Sequence, residues 1–290
     1  MNLDQRAIVR AFSRAASDYD QHAVLQREVG ERLLARLDGI RFQPQAILDL
    51  GCGTGVQAQA LSQRFPEARV VAMDLALPML HAAGKRRGWW KKRFDCVAAQ
   101  AAALPVAQAS FDMVYSSLML QWCDDVGAVL ANLRRVLKPG GMLLVSTFGL
   151  DTLHELKSAW ATVDHRPHVG HFTDVQRLGS ALTRAGFAEP VLDTDWITTT
   201  YSSPRELMRE LKGIGATNAD ADRQRGLTGP ARLRAMLHGY EAFRRDDGRY
   251  PATWEVVYAS AWAPDEGQPI RTEHGEEASV SISSLKVRQR

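Results

Sequence analysis

Apolar positions recur along the chain with two different periods. Over residues 2–16, Leu3, Ala7, Ile8, Ala11, Phe12 and Ala15 fall on one side of a helix and Arg6, Arg10 and Arg14 on the other. That is the three-to-four spacing of an amphipathic helix. A second helix is expected over 22–37. From residue 46 onward short apolar runs alternate with helical stretches. Strands are expected over 46–50, 69–74, 94–99, 111–117 and 142–148, and helices over 54–65, 77–87 and 126–137. The strand runs are almost continuously apolar, as in a parallel sheet covered on both faces. The alternation is that of an α/β fold. After Phe148 the rhythm changes. Helices are expected over 150–164 and 174–185, with an irregular stretch at 169–172 between them. Strands are expected over 191–200 and 254–262. Helices at 204–212 and 230–244 fall between these two strands and read as an insertion before the last one. The chain therefore divides into N-terminal helices (1–40), an α/β core (41–150), the rest of the core with a helical cap (151–263) and a tail (264–290). The tail has no aromatic residue, is rich in Glu, Ser and Gly, and reads as flexible.

Composition narrows the class. Of 290 residues, 45% are apolar and 24% charged, enough for a packed core and too balanced for general disorder. No apolar run reaches the roughly 18 residues of a membrane helix. The first twenty residues carry acids and no continuous apolar stretch, so an ordinary secretory signal is not expected. Cys52, Cys96 and Cys123 cannot build a disulfide framework, and none stand in C-x-x-C spacing. A reducing cytoplasm is the simplest setting, and no metal site is expected. Net charge is only +3, but its distribution is uneven. Between Asp74 and Asp95 there is no acid, and Lys85, Arg86, Arg87, Lys91, Lys92 and Arg93 surround Trp89 and Trp90. This 85–93 patch reads either as a solvated loop or as a docking surface for an acidic partner.

The chemistry begins at Ile47-Leu-Asp-Leu-Gly-Cys-Gly-Thr-Gly55. A strand runs into a G-x-G-x-G loop that opens a helix. Glycine lets a chain turn sharply and lets a ligand lie against its backbone. The next strand ends at Asp74, nineteen residues after Gly55. An acid there accepts hydrogen bonds from ribose hydroxyls in nucleotide-binding α/β folds. A dinucleotide loop would read G-x-G-x-x-G, whereas here the third glycine comes one residue early and Asp49 precedes the loop. This form resembles the first motif of class I S-adenosylmethionine-dependent methyltransferases. Gln100-Ala-Ala-Ala-Leu-Pro105, Phe111-Asp112, Ser116-Ser117-Leu118 and Leu137-Lys-Pro-Gly-Gly141 extend the resemblance over about 45–150. Gln100 stands where the family usually has Asp, and its amide oxygen can accept the same hydrogen bond. The resemblance implies a Rossmann-like fold: a mostly parallel seven-stranded sheet with an antiparallel last strand. It also implies S-adenosylmethionine, leaving as S-adenosylhomocysteine. The residues it assigns to the cofactor are Asp49, Gly51, Gly53, Gly55, Asp74, Leu75, Gln100, Ala101, Ser117 and Leu118.

Motifs outside that region carry a narrower resemblance. Arg10-Ala-Phe-Ser-Arg-Ala-Ala-Ser-Asp-Tyr-Asp-Gln-His22 with Leu25-Gln26 is similar to the N-terminus of the malonyl-acyl-carrier-protein O-methyltransferases of biotin synthesis. So are Leu120–Cys123, Val163–His168, Leu211–Thr217 and Gly248–Pro251. The resemblance implies methylation of the free carboxylate of a malonyl thioester. The partner would be acyl carrier protein, or coenzyme A in its place, with the 85–93 patch as a carrier-docking surface. A carboxylate is ionised at neutral pH, so the reaction needs alignment and exclusion of water rather than a general base. The substrate carboxylate calls for a cation or donors. Arg14, Arg166 and Lys212 are the cationic candidates, and Tyr19 and His168 the donors. Tyr19 falls where an N-terminal helix would cover the cofactor. For Lys212 a helix-end structural role is the preferred reading. Two other readings remain open. One is methylation of a quinone precursor. The other is a methyltransferase-fold complex I assembly factor acting on a protein, which Phe148–Leu153 and Pro251–Trp254 resemble. Nucleic-acid methylation is disfavoured: Ser116-Ser117-Leu118 stands where an amino-methylating enzyme would carry an Asn/Asp-Pro-Pro-Tyr/Phe motif.

Overall fold

A computed structural model describes residues 3–88, 93–223, 226, 228–265, 267–268, 270–272 and 275–277 of the chain. Seven strands form one sheet: β1 (Ala46–Leu50), β2 (Arg69–Asp74), β3 (Asp95–Ala98), β4 (Phe111–Ser117), β5 (Leu137–Phe148), β6 (Ala188–Tyr201) and β7 (Tyr250–Trp262). Their spatial order is β3-β2-β1-β4-β5-β7-β6. Strands β1 to β5 pair in parallel, and β7 runs antiparallel to both neighbours. This is the expected class I methyltransferase sheet. From β1 the chain winds outward through β2 and β3, then returns to the other side of β1 for β4 and β5. The order thus reverses between β1 and β4. A crevice opens beyond the carboxyl ends of the strands at such a reversal.

Burial on both faces explains the apolar strands. Ile47, Val70, Ala72, Met113, Tyr115, Met142 and Leu144 face one layer. They pack on helices α3 (Val24–Ala35), α4 (Val56–Arg64) and α5 (Leu77–Arg86) through Val29, Leu33, Leu61 and Ala83. Leu48, Val71, Val114, Leu143 and Val145 face the other. That layer is built by α6 (Val126–Val136) and α8 (Val175–Arg184), while α7 (His154–Ala161) joins the first layer through Leu156 and Ala159.

The elements depart from the sequence pattern in three places. The helix expected over 22–37 is α3, and a separate one-turn helix, α2 (Tyr19–His22), precedes it, parted from it at Ala23 (φ −84°, ψ 44°). A single Tyr-Asp-Gln-His turn is too short for apolar periodicity to register. The Pro-Gly-Gly segment at 139–141 lies inside β5 rather than before it. There the pairing with β4 shifts, from Phe111–Leu137 to Met113–Met142, and Gly140 takes φ +71°. That is a bulge rather than a strand start. Within 264–290, Ile270–Thr272 and Gly275–Glu277 pair as a short hairpin, β8 and β9.

The N-terminal helix α1 (Gln5–Ala15) and α2 lie against the insertion between β6 and β7, which contains α9 (Pro204–Gly213) and α10 (Pro230–Tyr240). Two glycines make this seam. A Cβ on Gly213 would stand 2.5 Å from the His22 ring, and one on Gly215 would stand 3.1 Å from the backbone of Ala11. Gly215 also has φ +75°, which side chains rarely adopt. At the start of α1, the Asp4 amide donates to the Ala219 carbonyl (2.8 Å) and the Asp4 carboxylate pairs with Arg223 (2.9 Å). Gly215→Ala should therefore cost about 1–3 kcal/mol, measured by urea unfolding. Unchanged stability would show that the seam yields without cost.

Candidate active site

The loop after β1 is held by β2. Gly51 and Cys52 donate their amides to the Met73 carbonyl (2.8 and 3.0 Å), and Gly53 donates to Asp74 Oδ2 (2.9 Å). Asp74 Oδ1 accepts from the Ala76 amide (2.8 Å). Gly51 has φ +74°, and a Cβ there would lie 2.5 Å from Met119 Cγ. Gly51 and Gly53 border a cavity of about 300 Å³ at the crevice. Gly55 does not. It caps α4 with φ +81°, and a Cβ on it would meet Ala83 Cβ at 2.9 Å. It lets α4 close on α5, and the spacing of the motif could not separate that role from ligand contact.

Asp49, Asp74, Leu75, Gln100, Ala101, Ser117 and Leu118, all expected on sequence grounds, line this one cavity together with Tyr19. Asp49 is 2% exposed, and its Oδ2 is buried without a hydrogen-bond partner. Burial, and then the charge of Asp74, push its carboxyl up to about 8. Burial also raises Asp74, against the pull of the amides of Ala76, Gly53 and Leu75. A buried and a half-buried acid toward the ends of adjacent strands make a site that favours donors and positive charge. Leu75, at the same rim as exposed Gln100, is a 39% exposed apolar side chain. Leu118 holds φ +51°, its amide donating to the Ser146 carbonyl (3.0 Å), and such strain clusters at functional sites.

Helices α1 and α2 form the roof. Ile8, Val9 and Phe12 turn one face of α1 to the cavity, and Phe12 meets Trp122 edge-on at 5.2 Å. Burial and the charges of Asp74 and Asp20 hold the Tyr19 phenol well above its ordinary range, so it remains a donor. Asp20 latches the roof: it accepts from the Thr54 hydroxyl (2.6 Å) and pairs with Arg86, which also donates to the Thr54 carbonyl (3.1 Å).

The other predicted substrate residues lie elsewhere. Arg14 and His168 line a separate groove, on the side of α1 away from the cavity. His168 is stacked on Trp160 (centroids 3.8 Å apart) and bonded to Asp164 (2.9 Å). Arg166 is exposed and borders neither space; its amide donates to Asp164 Oδ1 (2.8 Å). Gln121 is buried, bonded to the Leu118 carbonyl (2.7 Å) and the Thr147 hydroxyl (3.2 Å). In the 85–93 patch, Arg86 is committed to Asp20, and Trp89, Trp90, Lys91 and Lys92 fall outside the described residues.

Sequence reasoning missed Arg27. Among the described residues lining the cavity it is the one Lys, Arg or His. Its Nη1 donates to the Asp20 carbonyl (2.7 Å). In sequence it resembles any cation on the polar face of a helix.

Asp49 generates a pH prediction. A carboxyl near 8 in the folded state and near 4 unfolded leaves the folded protein one proton richer between those values. The contribution of Asp49 to stability is then fully present below about pH 4 and falls as pH rises toward 8, by roughly 1.4 kcal/mol per unit. Asp49→Asn removes this term. The variant should gain on wild type steadily from pH 5 to pH 8 in urea titrations without cofactor. A constant gap across that range would contradict the buried, neutral acid.

Comparison with known proteins follows the same outline. A family model described as a methyltransferase domain matches residues 48–145. Among solved structures, a phosphoethanolamine N-methyltransferase 2 of Haemonchus contortus, in complex with S-adenosyl-L-methionine, superposes with TM-score 0.56 at 18% identity, covering 87% of this chain and 57% of that one. The [4+2]-cyclase SpnF superposes with TM-score 0.51 at 20% identity, covering 82% and 81%. At these identities the likeness is one of fold alone. The curated relatives are far closer. A malonyl-[acyl-carrier protein] O-methyltransferase of Xylella fastidiosa (strain M23) is 47% identical over 99% of this chain and 98% of its own length. That of Halorhodospira halophila (strain DSM 244 / SL1) is 44% identical over 100% and 98%. The match runs through the roof and the insertion as well as the core, and the chain belongs to the malonyl-[acyl-carrier protein] O-methyltransferase family.

Proposed function

We propose that this chain transfers a methyl group from S-adenosylmethionine to the free carboxylate of a malonyl thioester on acyl carrier protein. The product is the methyl ester, an early intermediate for the pimeloyl part of biotin. The observation that carries this reading is identity to the family over the whole chain, well beyond the methyltransferase domain at 48–145. The quinone and assembly-factor readings have no such support.

The cavity suits the cofactor's chemistry. Asp74 can accept from the ribose hydroxyls. The unpartnered Oδ2 of Asp49 can accept from the methionine ammonium, and Arg27 can pair with the methionine carboxylate. Gln100 can accept from the adenine amino group beside the apolar surface of Leu75. When bound, the cofactor supplies an electrophilic methyl group on a positively charged sulfur.

The protein's own part is to hold and to exclude. The substrate carboxylate arrives ionised, so no side chain needs to remove a proton. Tyr19 stays protonated and can donate to one carboxylate oxygen, leaving the other free to attack. A neutral donor orients the nucleophile without neutralising it. Ile8, Val9, Phe12 and Trp122 keep water away, which strengthens each electrostatic contact inside. Burial pushes the Cys123 thiol up to about 12, so it does not compete as a nucleophile.

Intact-mass spectrometry of malonyl-acyl carrier protein with cofactor tests the reading. A gain of one methylene, absent with the acetyl carrier, is expected, and no gain in a protein that binds cofactor would discard it. Arg27→Gln should weaken cofactor binding about tenfold or more, since a charged hydrogen bond contributes about 1.5–3 kcal/mol, as read by calorimetry. An unchanged affinity would remove Arg27 from the cofactor.

A further inference from the structure

Among the motifs that carried the narrow family resemblance and lie outside the 45–150 core are Arg10–His22, Val163–His168 and Leu211–Thr217. All three contribute to one groove of about 730 Å³, distinct from the cofactor cavity. Its walls include Arg10 and Arg14 of α1, His22 of α2, His168, Lys212 at the end of α9, and Arg223. Helix α1 is the partition. Ile8, Val9 and Phe12 face the cavity, while Arg10, Ala11 and Arg14 face the groove.

The groove is rigidly built and positively charged. Gly213 and Gly215 press the end of α9 onto His22 and Ala11. Asn218 is tied to the Pro167 carbonyl, and His168 is fixed between Trp160 and Asp164. Arg223 is neutralised by Asp4, and Asp18 is the carboxylate on the groove's own wall. Arg14 and Lys212 are exposed and form no ion pair among the described residues. Fixed walls with unpaired cations are arranged for an anionic partner rather than for internal stability.

We propose that this groove, rather than the 85–93 patch, docks the acidic surface of the acyl carrier protein around its phosphodiester-linked arm. The proposal rests on the malonyl-carrier reading and specifies where that substrate binds. It explains why three of the motifs that mark the family meet in a groove beside the cofactor cavity. The roof helices then have two tasks on opposite faces, covering the cofactor and receiving the carrier.

The test uses the full chain and steady-state kinetics with malonyl-acyl carrier protein. Arg14→Glu/Lys212→Glu should raise KM about tenfold or more while the calorimetric Kd for S-adenosylhomocysteine stays unchanged, which also reports an intact fold. Lys212→Glu alone, at an exposed helix end, should raise KM by a smaller factor. Wild-type KM should climb between about 50 and 300 mM salt, and the double variant's should climb less, since screening acts on charges that remain. Turnover by wild type with variant KM values within twofold of it would overturn the docking site alone. No turnover by wild type would overturn the functional reading and the docking site with it.

Discussion

Two carboxyl groups, Asp49 buried and Asp74 half-buried, govern this structure. They stand toward the carboxyl ends of the adjacent parallel strands β1 and β2, beside the reversal of strand order between β1 and β4. Burial raises both, and the charge of Asp74 raises Asp49 further. An apolar core would not tolerate them. They persist because the glycine loop presents amides to Asp74 and because the space above them can admit a positively charged ligand. The sheet fixes where the acids stand, the loop fixes what surrounds them, and the roof decides how far water can reach them.

The roof is secured from two directions. On the core side, Asp20 binds Thr54 and Arg86, so the segment carrying Tyr19 is pinned to the glycine loop and to the end of α5. On the insertion side, Gly213 and Gly215 allow α9 to close on α1 and α2. These contacts hold the roof over the cavity from both sides. Packing thus links the family-specific ends of the chain to the chemistry at its centre.

Much of this was legible in the sequence. The core strands and the glycine loop announced themselves, because buried parallel strands are continuously apolar and a ligand-bearing turn needs glycine. The acids followed from their spacing to that loop. The places that escaped are those where a local pattern has two structural meanings. Gly55 looks like its two neighbours in the motif, yet it serves helix packing. Arg14, Arg166 and His168 look like carboxylate ligands in sequence; two of them build a groove on the far side of α1, and Arg166 is exposed. Arg27 looks like surface charge, yet it lines the cavity and bonds the Asp20 carbonyl. Periodicity tells which side of a helix is polar, not what that side faces.

The most direct measurement is a crystal structure of the protein with S-adenosylhomocysteine. The account predicts the ribose on Asp74, the methionine ammonium on Asp49, its carboxylate on Arg27 and the adenine between Leu75 and Gln100, beneath an ordered α1 and α2. A cofactor bound outside this cavity, or one that leaves Asp49 without a partner, would contradict it.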